Sequence, residues 1–494
     1  MAKQTITLAP AGLTKKERKE LEKYLRELSE NQTGNDNPAS IIVDPLPMIR
    51  KKFPALSDFW TFRIRRPFHR ATGFQIAAAN PYAAADIHDP AGPIIGIEMM
   101  SGGGAFTFDP WTLYASGLVS SPNLLIEGSL RQGKSFWIKR LVSLLVEIGH
   151  YAINTSDSKG EHGVAAHALG GDVFELGAYG SEIRINPLER PEQRLGESVI
   201  AYQSRVRAGR NAVLQQIATL LNPGERAVTA REASLLDWAT DEAIRKTNDR
   251  PTIRDVWQEL SPENIVRAQG GNHYEKRDAD DLWDGLRRLV EGDLGEMFDT
   301  HSSVSLRPDC PYTVIDTSAI SQRGAGALSV AQAVSNAWVQ NTISNKSSGR
   351  RYFVIREEGW RDMKSVAALE AHQEQLKLSG EYGISMVLIV HEGGDFDAVG
   401  AEGSKERELA KSLLRGYANR VCFNQPQSAL NNAVKDGTYT DAEATAIGGL
   451  QRGQFLIKMR NRSYVVDGTP TTTPWEREVF NTDKQMVLQE EDAA

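Results

Sequence analysis

The chain has 494 residues, of which 40% are hydrophobic and 24% charged, with a formal net charge of -7 and a pI near 5.8. This balance excludes a globally disordered chain and a generally basic nucleic-acid coat, and the length allows about two to four domains. No apolar run approaches the roughly 20 residues that span a bilayer, and MAKQTITLAP lacks the apolar centre of a secretory signal, so a cytoplasmic protein is expected, attached to membranes only through partners.

Thr14-Lys15-Lys16-Glu17 has the capping-box pattern and precedes an apolar stripe at Leu21, Tyr24, Leu25 and Leu28, which predicts a charged N-terminal helix. Breakers from Asn31 to Ser40 end it, so residues 1–40 read as a helix and linker, either a partner-binding arm or a solvated appendage. Region 41–93 is the most basic. Between Met48 and Arg70 it sets Arg50, Lys51, Lys52, Arg63, Arg65, Arg66 and Arg70 against Asp58, with Phe53, Phe59, Trp60, Phe62 and Phe68 interleaved. Such a mixture suits nucleic acid, an anionic membrane or an acidic protein, but core aromatics with solvated arginines in a strand-rich segment is the favoured reading. Ile94 to Phe108 then predicts two short strands around Ser101-Gly102-Gly103-Gly104, leading into FDPWTLY.

The stretch NLLIEGSLRQGKSFWIKR, Asn123 to Arg140, is the centre around which the remaining motifs are arranged. Leu124, Leu125 and Ile126 suit a buried strand, and Trp137, Leu141, Leu144 and Leu145 recur at helical spacing. Between them, Gly128 to Ser135 fits G-x-x-x-x-G-K-[ST] at every fixed position. Gly128 and Gly133 permit backbone angles that aim N–H groups at phosphate oxygens, which makes Ser129, Arg131, Gln132 and Phe136 part of the predicted nucleotide cradle. Lys134 supplies a point charge for the terminal phosphates, and the Ser135 hydroxyl can enter the shell of a magnesium ion. A nucleotide with Mg2+ is therefore expected here, and ATP is the nucleotide that the family resemblance described below implies.

Tyr151 to Thr155 predicts a strand that delivers Asp157-Ser158-Lys159-Gly160-Glu161 to the carboxyl edge of a sheet, where open parallel sheets bind ligands. Asp172 to Leu176 and Ile183 to Leu188 predict further short strands, completing a first core segment over 94–190. Helical periodicity dominates residues 191–300, in Leu214 to Leu221, Ala233 to Ala243 and Leu282 to Leu294, with Thr252 an N-cap; this predicts a helical insert for packing or assembly. Alternation resumes over 301–484 with Tyr312 to Ile315, Leu328 to Ile343, Tyr352 to Arg356, Ile384 to Val390, Val421 to Phe423 and Phe455 to Met459, and residues 485–494 are an acidic tail. Cys310 and Cys422 lie far apart without neighbouring ligand residues, so neither a disulfide framework nor a zinc site is supported, and buried neutral thiols are expected.

A hydrolysing phosphate site needs a carboxylate near magnesium and a group that orients water. Glu357 and Glu358 come directly after the apolar run Tyr352 to Ile355 and Arg356, and neighbours on an extended backbone point opposite ways, so Glu357 is assigned the magnesium side and Glu358 the water. Arg356 either pairs with Glu357 or lies near phosphate, and His391, after the next strand, is a candidate sensor of the terminal phosphate.

Taken together, GSLRQGKS, DSKGEH, INPLE, VIREEGW, His391 and NTDK at Asn481 to Lys484 resemble the conjugation-type ATPases of type IV secretion systems, within the HerA/FtsK class of RecA-like motors. The resemblance spans Ile94 to Lys484 and implies an α/β fold with a RecA-like P-loop core, a mostly helical insert and a small strand-containing N-terminal region. It further implies a homo-hexameric ATPase that works with channel components on DNA or protein. Ring motors place an arginine across the subunit boundary, and Arg415 and Arg420 are the candidates, with Arg323 a weaker third. Two departures stand out: Glu357 replaces the family's usual aspartate, and fewer residues precede Ile94 than the large N-terminal domain common in secretion ATPases would need. A HerA/FtsK-like DNA pump and a nucleotide-binding scaffold with weak hydrolysis are the competing readings.

Overall fold

The computed structural model describes residues 92–100, 104–268, 276–343, 349–357, 366–390, 404–460 and 462–482. Outside these lie the N-terminal helix and linker, the basic stretch from Met48 to Arg70, most of the Ser101 to Gly104 turn, Glu358, His391, Asp483, Lys484 and the acidic tail. All the described residues belong to the unit from Ala85 to Ala494.

Among the described residues eleven strands form one sheet: β1 Ile94–Glu98, β2 Ala105–Thr107, β3 Leu124–Glu127, β4 Tyr151–Asp157, β5 Asp172–Glu175, β6 Tyr312–Asp316, β7 Tyr352–Glu357, β8 Ile384–Ile389, β9 Asn419–Cys422, β10 Gln454–Met459 and β11 Arg462–Asp467. Their order is β2-β1-β11-β10-β9-β3-β8-β7-β4-β6-β5. From β9 to β5 every neighbouring pair is parallel, and from β9 through β10, β11 and β1 to β2 every pair is antiparallel. The parallel strands read as nearly unbroken apolar runs because both of their faces are covered.

Among the described residues the α-helices of six or more residues are α1 Pro110–Ala115, α2 Lys134–Glu147, α3 Gly163–Ala168, α4 Val199–Leu221, α5 Ala230–Lys246, α6 Ile253–Glu259, α7 Pro262–Ala268, α8 Lys276–Val290, α9 Ala325–Ile343, α10 Val366–Ser379, α11 Lys405–Arg415, α12 Gln427–Lys435, α13 Asp441–Gly448 and α14 Pro474–Phe480. Thr252 caps α6 in a full capping box with Asp255, and Thr229 does the same for α5 with Glu232. FDPWTLY folds as α1, with Asp109 accepting from Trp111 N and Pro110 in the first turn.

Alternation along the strands divides the core. Leu124, Ile126, Phe353, Ile355, Val387 and Ile389 pack toward α2 and its neighbours, together with Trp137, Leu141 and Leu145. Leu125, Ile153, Val354, Met386 and Leu388 face the other way, into a cluster shared with α4, α5, α6, α8 and α9. The helices between β5 and β6 are thus continuous with the sheet's core and are not a detached appendage.

One strand expectation is overturned. Ile183 to Leu188 is not a strand, because its leading amides bond singly to a loop: Arg184 N donates to Ser303 Oγ at 2.9 Å, Ile185 N to Met297 O at 2.9 Å and Asn186 N to Ser302 Oγ at 2.9 Å. Pro187, which has no N–H, comes next. Among the described residues no helix is long and apolar enough to cross a membrane.

Candidate nucleotide-binding site

Parallel register puts the carboxyl ends of β3, β4, β7, β8 and β9 at one edge, and the chain's polar motifs collect there. The loop from Gly128 to Gly133 joins β3 to α2. Gly128 adopts φ +151° against Phe423, where an added Cβ would lie 2.6 Å from the Phe423 Cβ, and Gly133 adopts φ +97° as the N-cap of α2. Arg131 is left-handed as well, at φ +62°, a conformation that costs a branched or long side chain energy and concentrates at ligand-binding loops. Ser129 N donates to Asn424 O at 3.0 Å, which fastens the loop to the segment after β9. Beyond it, the first turn of a 14-residue helix offers amides without intrahelical partners.

Lys134 is buried, and its ammonium donates to Ser129 O at 2.8 Å and to Gly128 O. A cleft of about 310 Å³ opens beside it, lined by Arg131, Ser135, Lys139, Lys159, Arg452 and Thr482 among others. A second cavity of about 700 Å³ adjoins at Gly133 and Phe136, walled by Trp137, Phe423, Gly453, Thr469 and Arg477. A third, of about 360 Å³, lies away from the loop between α4, α9 and α10; there Arg205 is paired with Glu197 and Arg210 with Asp249.

Glu357 ends β7, two strands from β3, and is only 7% exposed. Its Oε1 accepts from His162 Nε2 at 2.8 Å, and His162 Nδ1 meets the Tyr312 hydroxyl at 2.6 Å. Burial alone would raise the Glu357 pKa, but the His162 ring, Lys159 and Lys139 hold it below the ordinary carboxylate value, so it is ionised at neutral pH. Asp157 is shifted the opposite way, upward, by burial and by the nearby Glu357 charge, against the pull of His162. Lys139 bridges this cluster and the cleft: its ammonium donates to Thr482 Oγ1 at 2.5 Å and Glu161 O at 3.4 Å, and burial lowers its pKa against the attraction of Glu161, Glu357 and Asp157.

Gly128, Ser129, Arg131, Gln132, Gly133, Lys134, Ser135 and Phe136 are therefore gathered at one strand-to-helix junction, with Glu357 at the same sheet edge. Arg356 joins neither Glu357 nor the loop. It points to the opposite face, where its guanidinium bonds His372 Nδ1 on α10, and His372 Nε2 bonds the Tyr417 hydroxyl at 2.9 Å. Arg420 is held inward on β9, donating to Leu414 O at 2.7 Å with Glu127 3.6 Å away, whereas Arg415 is exposed in the last turn of α11. Arg323 is bound to Asp293 O at 2.6 Å and Gly177 O at 2.9 Å. Sequence reasoning assigns no role to His162, Lys139 or Tyr312; the local signal for them is only that His162 closes the DSKGEH run.

The arrangement defines a class: the fold is that of the RecA-like P-loop NTPases. Among solved structures, VirB4 of Thermoanaerobacter pseudethanolicus is similar at 18% identity, with a TM-score of 0.63 over 79% of this chain and 100% of that one. The plasmid coupling protein TrwB, in complex with the non-hydrolysable ATP analogue ADPNP, is similar at 14% identity, with a TM-score of 0.50 over 81% of this chain and 95% of that one. At these identities the likeness is one of fold. No protein-family model matches the chain, and no curated protein does.

Proposed function

We propose that this chain is an ATP-hydrolysing motor of the type IV secretion and conjugation kind, working as a homo-hexamer that couples ATP turnover to movement of DNA or protein through a channel. The observation that carries this reading is the phosphate loop at the carboxyl edge of a parallel sheet, with the ionised Glu357 on the strand two places away. Loop amides and Lys134 would hold the phosphates, and the 700 Å³ cavity beside Phe136 has room for the nucleoside.

Ser135 and Glu357 fit a magnesium ion, a hard cation that takes oxygen ligands and keeps several waters. Among the described residues no group of three or more His, Cys, Asp or Glu could hold a metal, and this site needs none, since phosphate and water oxygens complete the shell. When bound, the ion neutralises charge developing on the phosphates. Glu358 is assigned to orienting water and His391 to sensing the terminal phosphate, both from their places after β7 and β8. Arg415 is the better candidate to reach a neighbouring subunit, because Arg420 is engaged within its own chain. Channel components are the proposed partners, and through them a cytoplasmic chain would reach the membrane.

The test is ATP turnover by the wild type and Lys134→Ala, with and without DNA at two salt concentrations, alongside native mass with nucleotide. Turnover lost in Lys134→Ala and a hexameric mass support the motor. Stimulation by DNA that fades at higher salt favours a DNA pump over a protein-handling ATPase. Nucleotide binding without turnover would establish a scaffold instead.

A further inference from the structure

The face of β7 that carries Glu357 also carries Phe353 and Ile355, and α2 and α3 pack over it. His162 stands at the N-cap of α3, fully buried. Three contacts fix it: its backbone N–H donates to Asp157 Oδ2 at 2.7 Å, the Tyr312 hydroxyl meets Nδ1 at 2.6 Å, and Nε2 meets Glu357 Oε1 at 2.8 Å. An ionised carboxylate only accepts, so Nε2 carries the hydrogen in this bond. On the other side of the ring the Tyr312 hydroxyl, 2.6 Å from Nδ1, holds its orientation. The hydrogen bond engages one Glu357 oxygen, and Lys139, which lines the cleft beside the phosphate loop, attracts the same carboxylate.

From this geometry we infer that His162 is a positioning residue, held by Tyr312, that aims the Glu357 carboxylate at magnesium. The inference rests on the proposed nucleotide site. Groups that orient a metal-binding carboxylate act on metal affinity and leave phosphate binding by the loop largely alone.

The experiment measures binding of a fluorescent ATP analogue in EDTA and across a magnesium titration, with thermal unfolding as a control on folding. His162→Phe keeps a ring without a donor, His162→Gln keeps an N–H donor at similar reach, and Tyr312→Phe removes only the hydroxyl. In His162→Phe the magnesium concentration for half effect should rise about 10- to 100-fold, affinity in EDTA should stay within about twofold, His162→Gln should recover most of the loss, and Tyr312→Phe should fall between. Unchanged magnesium dependence in His162→Phe, or an equal loss with and without magnesium, overturns the assignment. Should His162→Phe fail to fold, Tyr312→Phe decides, and wild-type magnesium dependence there overturns it equally. A wild type whose nucleotide binding is indifferent to Lys134→Ala overturns the motor reading itself, an outcome visible before magnesium is varied.

Discussion

Arg140 is 3% exposed near the middle of α2 and joins three parts of the chain. Its guanidinium donates to Glu476 Oε1 at 2.9 Å, to Ile95 O at 2.8 Å and to Thr471 O at 2.9 Å. Glu476 is itself 5% exposed and completes the capping box of α14 with Thr473. Arg140→Met retains much of the packed volume and leaves a buried carboxylate without its cation. Breaking such a pair from one side costs about 3–5 kcal/mol. The two abandoned carbonyls push the value toward the upper end, since an unsatisfied buried acceptor costs about 1–3 kcal/mol. Removing both partners in Arg140→Met/Glu476→Met should cost less than the sum of the single variants, by about 1–3 kcal/mol. Urea denaturation tracked by circular dichroism, read as midpoint shifts at constant slope, measures each term. A loss below about 1 kcal/mol in Arg140→Met, or strict additivity, would refute the claim that this pair ties α2 to the sheet's antiparallel edge.

Other substitutions probe separate parts of the molecule. Gly128→Ala forces a side chain against Phe423 at φ +151° and should cost about 1–3 kcal/mol while weakening nucleotide binding; an unaltered melting temperature and affinity would contradict the strain. Burial pushes the Asp109 pKa up, but His150, with Nε2 at 3.6 Å, Thr112 and Trp111 N together hold it below 3.8. A depressed folded value means that its stabilisation is present above the unfolded pKa and lost as pH falls through the folded one. The stability gap between wild type and Asp109→Asn should accordingly close as pH drops below 3.8, and a gap constant from neutral to acid pH would show the reasoning wrong. Cys310 and Cys422 are 3% and 0% exposed, and burial with the Glu127 charge raises the Cys422 pKa. A thiol reagent should leave both unlabelled in the native chain and reach both in denaturant; rapid labelling of either in the native state would contradict their burial.

The features that the sequence shows and those that it hides divide along sequence distance. The Gly128 to Ser135 loop, the strand before it and the helix after it are local patterns, so composition and period suffice to place them. The α/β class and the parallel block come from the same periodicity. Ile183 to Leu188 has the pattern of a short strand, but a ladder also needs a partner strand, and two of its amides meet serine hydroxyls instead. FDPWTLY forms α1 through an Asp109 cap, a helix too short for period to reveal. The bond from His162 to Glu357 crosses 195 positions and that from Arg356 to His372 joins two separate elements, so neither leaves a trace in spacing. Its place after an apolar run is enough to single out Glu357, whereas the groups around its carboxylate are set by the fold.

The end of β7 also bears on how the sheet assembles. Arg356 and Glu357 are adjacent, opposite in charge and committed to opposite faces, one to His372 and Tyr417, the other to His162 and Tyr312. A slip of β7 by one residue between β4 and β8 would turn each to the opposite face of the sheet, away from the groups that now hold it. Each misplaced charge would be buried and unpaired, at about 3–5 kcal/mol apiece, more than an apolar strand could lose by sliding. Val354 and Ile355 would pack tolerably in either register, so the charged pair is what makes the central strand of the parallel block lock in only one.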